Sequence, residues 1–521
     1  MNILLINPEF PDTFWGLKNA LKFIGRKAML PPLGLLTVAG LLPDDWNLKL
    51  IDMNTSPLRD RHLAWADYVF LTAMLVQRPS TDAVIDRCRQ AGVPIVAGGP
   101  LFTSLPEEYL HVDHLVLKEA ELTLPRFLED LQNGCARKIY NTHDKPDLQS
   151  TPMPRWDLVD PRKYASMAIQ YSRGCPFNCD FCDITTLFGH RIRTKSAAQI
   201  VAELEVLYQR GWRDYVFFVD DNFIGNKAVL KRELLPAITD WMEHRGHPFA
   251  FNTQASINLA DDEELMSAMV RAGFDCVFVG IESPDQQCLT ECNKVQNTGR
   301  DLLECVARIQ RAGLQTQGGF ILGFDHDDAG VFDNLIQFIQ KSGIVTAMVG
   351  LLNAPRGTQL YRRLLAEHRL FRTPTGDNTD CSINFAPRMG LEKLMAGYRR
   401  VIEHIYSPQQ HAERIRTFLE RYRVPEGRKW RVHWKELGAF VKSMWRIGIL
   451  DRGRKHYWKL LFWSLRRPRT LPLAVTFSIY GYHFRKIIRR LSCETQNLVH
   501  GPMPMAVPAP VAAEREVSGP A

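Results

Sequence analysis

Three cysteines within eight residues carry the most specific chemistry in this 521-residue chain. Cys175, Cys179 and Cys182 form a C-x3-C-x2-C pattern inside Gly174-Cys175-Pro176-Phe177-Asn178-Cys179-Asp180-Phe181-Cys182-Asp183, directly after the apolar run Met167-Ala168-Ile169-Gln170-Tyr171. Thiolates are soft donors, and three on one short loop select an iron–sulfur cluster or zinc. A structural zinc site is normally closed by four ligands, and the nearest further candidate, His190, lies eight residues beyond Cys182. On a four-iron cluster the same three thiolates leave one iron without a protein ligand, open to a substrate. Disulfides fit poorly, because closely spaced cysteines without a secretory leader read as metal ligands.

The rest of the composition sets bounds. The length suggests about three domains. Hydrophobic residues make up 45% of the chain and the mean hydropathy is −0.20. No run of about 18 uncharged apolar residues occurs, which argues against a bilayer span. The opening Met1-Asn2-Ile3-Leu4-Leu5-Ile6-Asn7-Pro8 lacks a basic n-region and a small-residue cleavage site, so it does not read as a signal peptide. A reducing cytoplasm is the expected setting for the eleven mostly scattered cysteines. The net charge of +8 is uneven. Between Arg421 and Arg490 nineteen Lys and Arg face three acids, a local +16 that leaves −8 for the remainder.

The elements that must hold the cysteine loop lie on both sides of it. Residues 1–140 alternate helical stretches with β-like runs at Ile3–Ile6, Leu48–Ile51, Tyr68–Leu71, Pro94–Ala97 and His114–Leu117, the pattern of a doubly wound parallel sheet. Such sheets bind ligands at the carboxyl ends of their strands. Asn7 and Pro8 follow the first strand, Asp52 the second, and Gly98 and Gly99 the fourth. Glycines there let the backbone approach a large flat ligand. The first turn has no G-x-G-x-x-G, which disfavours a dinucleotide. Residues 141–166, with four prolines and no periodicity, read as a linker in which Met153-Pro154-Arg155-Trp156 can pack on one domain.

From residue 167 to about 380 the alternation resumes. Strands are expected at Met167–Tyr171, Tyr215–Val219, Phe249–Ala255, Cys276–Ile281, Gln315–Leu322 and Val345–Leu351, separated by helices at Ser196–Arg210, Lys227–His244, Asp261–Ala272, Thr298–Ala312 and Ala329–Lys341. Ser196 with Gln199, and Asp261 with Glu264, have capping-box spacing. Six strand–helix units make a partial (β/α)6 barrel, whose chemistry belongs at the carboxyl ends of its strands. Polar residues gather there: Asp220, Asp221 and Asn222 after the second strand, Gln254, Ser256 and Asn258 at the third, Glu282 and Ser283 after the fourth.

The cysteine loop, with Phe181 just before its last cysteine, resembles the cluster loop of the radical S-adenosylmethionine (SAM) enzymes. Pro31-Pro32-Leu33-Gly34-Leu35-Leu36 and Gly98-Gly99-Pro100 resemble the cobalamin-binding domain fused to one large class of them. The wording is most similar to the hopanoid C-2 methylase group, over roughly residues 1–400. The resemblance implies a [4Fe–4S] cluster on Cys175, Cys179 and Cys182, with SAM at the open iron. Asp220, Asp221 and Asn222 would meet the SAM ribose and amino groups, with a polar contact from Glu282 and a fifth-strand segment around Gly319. Cobalamin would lie against Asn7, Pro8, Gly34, Asp52, Gly98 and Gly99. Two departures stand out. The first-strand turn is Asn7-Pro8-Glu9-Phe10-Pro11 instead of D-x-H-x-x-G, so cobalamin is expected with its lower base displaced and no protein histidine on cobalt. His62 has Trp65 where that motif needs glycine, and reads as a helix-surface residue. Lys118-Glu119-Ala120-Glu121 stands where relatives show a Gly-Glu pair.

The implied activity is methyl transfer to an unactivated carbon, with a SAM-derived radical removing hydrogen, methylcobalamin delivering the methyl group and an external flavodoxin- or ferredoxin-like donor supplying electrons. Such a C–H bond is beyond acid–base chemistry, so cofactors carry the reaction and no side chain is assigned as catalytic. The alternatives are a cyclisation or oxidation with the same cofactors, and a non-enzymatic cobalamin sensor. The substrate is expected to be a hopanoid-like lipid or another small molecule. A tRNA methylthiotransferase would need three cluster cysteines in its first domain, where only Cys88 and Cys135 lie. Cys288 and Cys292 read as plain helix residues.

From about Ser382 the strand pattern ceases. Leu391–Tyr406 and His411–Tyr422 read as amphipathic helices within a basic helical domain, 381–495. Trp430, Trp434, Trp445, Trp458 and Trp463 are interleaved with its cations. That mixture suits the anionic inner face of a membrane, contacted through 421–490, better than nucleic acid; a solvated helical cap is the plainer reading. The Pro- and Ala-rich stretch 496–521 is expected to be disordered.

Overall fold

The structure, a computed structural model, describes residues 1–377, 379–425 and 434–498. The amino-terminal region is a six-stranded parallel sheet of β1 (Asn2–Asn7), β2 (Asn47–Asp52), β3 (Tyr68–Thr72), β4 (Ile95–Gly98), β5 (His114–Val116) and β6 (Ile139–Tyr140), in the order β2-β1-β3-β4-β5-β6. Helices cover both faces, so β1 reads as a continuous apolar run: Leu4 and Ile6 join one core with Val84 and Ile85, Ile3 and Leu5 the other with Leu35 and Phe127. The strand order reverses between β1 and β3, which places a crevice at their carboxyl ends. The two residues of β6 form a pattern too short to read from sequence.

The expected linker is fastened to this sheet. Arg155 donates its backbone N–H to the Leu36 carbonyl (3.0 Å) and Ser166 to that of Met29 (2.9 Å). The Tyr164 hydroxyl donates to Asp52 at 2.8 Å, and Trp156 is 2% exposed.

The second sheet is also parallel and six-stranded. It is built from β7 (Met167–Ile169), with a short antiparallel pair β8 (Ser172–Arg173) and β9 (Arg193–Thr194) beside it, then β10 (Tyr215–Phe218), β11 (Ala250–Ala255), β12 (Phe274–Glu282), β13 (Gln315–Leu322) and β14 (Ala347–Leu351), in the order β14-β13-β12-β11-β10-β7. The expected partial barrel is therefore present. Val277, Val279, Ile281, Phe320, Leu322 and Leu351 face the surrounding helices and are buried. Alternate residues, Phe278 and Gly280 on β12, Gln317, Gly319 and Ile321 on β13, Met348 and Gly350 on β14, line the inner face.

Helix boundaries follow their caps. The helix Ala197–Gln209 has the expected Ser196–Gln199 box. The helix expected from Asp261 starts at Glu263, because Asp262 accepts the Leu265 N–H at 3.0 Å; Asp261 instead pairs with Arg300 at 2.6 Å. The expected helix Lys227–His244 is interrupted by a π turn at Leu230–Leu234, just before Pro236, which has no N–H to continue the ladder.

After β14 and the isolated antiparallel bridge of Leu370 with Phe385, the described elements are helices, including Leu391–Ile405, Pro408–Arg421, Trp434–Arg446, Arg454–Leu465 and Leu471–Leu498. Among the described residues no helix is long and apolar enough to cross a membrane. Trp430 and residues 499–521, most of the stretch expected to be disordered, lie outside the described residues.

Candidate active site

The cysteine loop is the excursion between β8 and β9, where Ser172 pairs with Thr194 and Arg173 with Arg193. It leaves the pair at Gly174, where φ is +97° and a Cβ would meet the Arg191 carbonyl oxygen at 2.7 Å, so no side chain is tolerated. Asp220, fully buried at the end of β10, fastens the other side of this entry: it accepts the N–H of Tyr171 (3.2 Å), and the N–H and hydroxyl of Ser172. Asp220 thus engages the backbone leading into the loop. Its neighbour Asp221 has a buried oxygen with no hydrogen-bond partner, and its carboxyl is pushed up to about 7 by burial first, then by Asp220 and Asp183. Asn222 accepts from Ser256, which donates in turn to Asn258 at 2.7 Å.

The facing wall is the segment Cys292–Asn297, of which the sequence singled out only Cys292, as a plain helix residue. Asp180 donates its N–H to the Cys292 carbonyl (3.1 Å), Asn293 donates to the Asn178 carbonyl (2.9 Å), and the Gln296 amide lies 3.7 Å from the Cys179 sulfur. The Lys294 side chain is 12% exposed and holds its ammonium 2.6 Å from Glu282. Glu282 ends β12 with φ +63° beside a register shift, and Gly280 leaves the space that the pair occupies. Burial raises all three cysteine thiols, Cys182 to about 12, while the Lys294 charge works in the opposite direction on each. Burial opposes the charge on Lys294 too, and is outweighed by Glu282 and Cys179.

These residues fit the implied groups. Three thiols around one buried ammonium suit an anionic cluster. Among the described residues no three His, Cys, Asp or Glu converge on a single-ion site. Asp221 Oδ2, Gln296 Oε1 and Asn297 Oδ1 are buried acceptors without partners, suited to the hydroxyl and ammonium donors of SAM. Cys288 and Cys292 are buried; Cys288 donates to Asp327 at 3.2 Å.

At the first sheet, Asn7 donates to Asp52 (2.9 Å) and accepts from Gln77 (3.1 Å), and the Pro8 carbonyl accepts from Gln77 (2.7 Å). Asp52 also receives Asn54 and Tyr164. These side chains fix the β1 and β2 loops. Gly98 packs against the Val116 carbonyl and Gly99 against Thr72 and Ala73, whereas Gly34 is exposed with nothing within 4 Å of its missing Cβ. His62 accepts the Arg59 N–H in the short helix Asp60–Leu63.

The family model of the radical SAM superfamily matches residues 169–339, that of the B12 binding domain residues 25–128, and a domain of unknown function residues 358–497. An uncharacterized methyltransferase of Synechocystis sp. is 40% identical over 94% of this chain and 93% of its own. The hopanoid C-2 methylase of Rhodopseudomonas palustris is 32% identical over 89% of each. The chain belongs to the cobalamin-dependent radical SAM methyltransferases. Among solved structures, the cobalamin-dependent radical SAM enzyme OxsB with aqua-cobalamin bound superposes with a TM-score of 0.61 at 13% identity, covering 95% of this chain and 80% of that one, a likeness of fold.

As a radical SAM methyltransferase, the enzyme uses a [4Fe–4S] cluster, SAM and cobalamin. Its two sheets are locked together beside the cluster loop. Glu119, from the first region, is 2.8 Å from Arg173 and 2.9 Å from Arg193, and Arg173 also reaches Glu121 at 2.8 Å. Lys118 adopts φ +63°, a left-handed conformation that a glycine adopts without strain.

Proposed function

We propose that this enzyme methylates an unactivated carbon of a lipid-like, hopanoid-like small molecule held on the inner face of the barrel. When bound, the cluster with SAM supplies a hydrogen-abstracting radical and cobalamin supplies the methyl group. The chain's own part is to hold the loop of Cys175, Cys179 and Cys182 between the β8–β9 pair and the Cys292–Asn297 wall, and to offer Asp221, Asn222, Glu282, Gln296 and Asn297 toward SAM. Asn7, Pro8, Asp52, Gly98 and Gly99 shape the cobalamin crevice, with Gly34 keeping its side open. The working division is 1–140 for cobalamin, 167–380 for the barrel and 381–495 for the basic helices. A flavodoxin- or ferredoxin-like protein would supply the electrons, and the segment 421–490 would bring the enzyme to an anionic membrane.

The observation that carries the substrate class is the makeup of the inner face. Phe278, Ile321 and Met348 lie there among Gly280, Gly319 and Gly350, and Trp15, from the loop after β1, packs edge-on to Phe278 (5.4 Å between centroids) and points its indole N–H at the Met348 sulfur (3.1 Å). The Phe278 ring fills the space over Gly319 and the Glu282–Lys294 pair that over Gly280, so the wall beside Gln317 is mainly the apolar surface of Phe278, Ile321, Met348 and Trp15, which suits a hydrocarbon. Similarity to the hopanoid C-2 methylase supports the same class. The test is an anaerobic incubation of reconstituted enzyme, reductant and methyl-labelled SAM with a bacterial lipid extract. Label in an apolar lipid fraction is the expected result; 5′-deoxyadenosine formation with label only in polar products contradicts the substrate class.

A further inference from the structure

The helices Trp434–Arg446 and Arg454–Leu465 expose large apolar side chains that a folded chain usually buries. Leu437, Val441 and Trp445 recur every fourth residue and so form one line along the first helix. Trp445 is 58% exposed, Leu450 in the following turn 64% and Phe462 on the next helix 62%, with Ile449 and Leu465 exposed beside them. The two helices form one surface, because the Trp458 indole donates to the Gly448 carbonyl at 2.8 Å and stacks on Phe462. Scattered exposed apolar residues are ordinary, but a continuous ridge marks a site of association.

Charge decides what it associates with. From Leu437 to Arg469 there are nine Lys and Arg and one acid, Asp451. Asp451 is buried and pairs with Arg485. Arg452, Arg454, Lys455, Lys459, Arg466 and Arg469 are exposed around the apolar residues. A second copy of the chain would bring like charges face to face across a two-fold interface. A surface with lipid beneath and anionic headgroups at its rim satisfies both parts at once, the arrangement of an interfacial amphipathic helix. The ridge helix also packs on the segment that follows Trp15: Lys442 donates to the Phe23 carbonyl (3.1 Å) and Arg446 lies over the Phe23 ring, on the helix Lys18–Ile24.

We infer that Leu437, Val441, Trp445, Leu450 and Phe462 form a membrane-inserting ridge that docks the enzyme on anionic lipid, with the loop carrying Trp15 beside it. The inference deepens the membrane contact in the proposed function, but its test does not depend on the substrate. Full-length holoenzyme is sedimented with phosphatidylcholine vesicles containing increasing phosphatidylglycerol, beside the variant Trp445→Ser/Leu450→Ser/Phe462→Ser. Wild type is expected to partition to the anionic vesicles, more weakly in high salt. The variant should bind at least roughly tenfold less while still forming 5′-deoxyadenosine from SAM in vesicle-free assays. Equal binding of variant and wild type, or equal binding to neutral and anionic vesicles, overturns the ridge. So does a wild-type dimer in sedimentation velocity that the variant converts to monomer.

Discussion

The Glu119 carboxylate receives Arg173 at 2.8 Å, joining the end of the first sheet to the residue two positions before Cys175. Arg193, opposite Arg173 on β9, closes the same carboxylate from the other side. One buried acid therefore holds both ends of the cysteine loop. Glu119→Gln keeps the shape and removes the charge, leaving two guanidiniums with less compensation. Loss of one partner in a buried ion pair costs about 3–5 kcal/mol. The variant should unfold at lower denaturant and make methylated product more slowly than wild type; an unchanged midpoint would show that the clamp contributes no stability.

Lys294 pairs with Glu282 and faces the thiols. Lys294→Met should shift the cluster to a more negative reduction midpoint, since the reduced cluster gains an electron next to a lost positive charge. A redox titration followed by electron paramagnetic resonance measures this. An unchanged midpoint removes the electrostatic role.

Trp15 touches the barrel's inner face from another domain. In Trp15→Ala, SAM should still be cleaved while product per 5′-deoxyadenosine falls by roughly tenfold, because the substrate loses one aromatic wall. Equal loss of both products would make Trp15 a fold element and not a substrate contact.

His483 is neutral in the folded protein: burial lowers it to about 4, its Nε2 lies 3.1 Å from the Phe14 carbonyl, and nearby Asp12 offsets part of the shift. The unfolded ring titrates near 6.5, so between about pH 6.5 and 4 the unfolded chain binds the extra proton. Stability is then full above pH 6.5 and falls as the pH drops through this window, by roughly 3 kcal/mol from this residue. His411, also lowered by burial, acts with the same sign. His483→Gln should flatten the acid limb of a denaturation series; the same slope in both proteins would contradict it.

Much of this architecture was legible in the sequence because strands buried on both faces spell continuous apolar runs, as Ile3–Ile6 does. The cysteine spacing pointed to soft-metal chemistry. Less legible was whatever depended on pairing across distance. Asp220 and Asp221 look equivalent in sequence, yet one binds backbone N–H groups and the other keeps an unpartnered oxygen. Lys294, Gln296 and Asn297 carried no motif of their own; the available signal was a cluster of polar residues between an apolar strand and an apolar helix. The run Lys118-Glu119-Ala120-Glu121 assigned Glu119 no role, because that role rests on two arginines 54 and 74 residues away.

In the proposed reaction Cys175, Cys179 and Cys182 hold the cluster on which SAM is cleaved for a cobalamin-borne methyl transfer. The most direct measurement is the yield of 5′-deoxyadenosine from anaerobically reconstituted wild type and the three single Cys→Ala variants, with iron counted in each. Wild type should carry about four irons per chain and form 5′-deoxyadenosine, and every variant should fail to form it. Undiminished formation in any one of the three variants would contradict the assignment of the cluster to this loop.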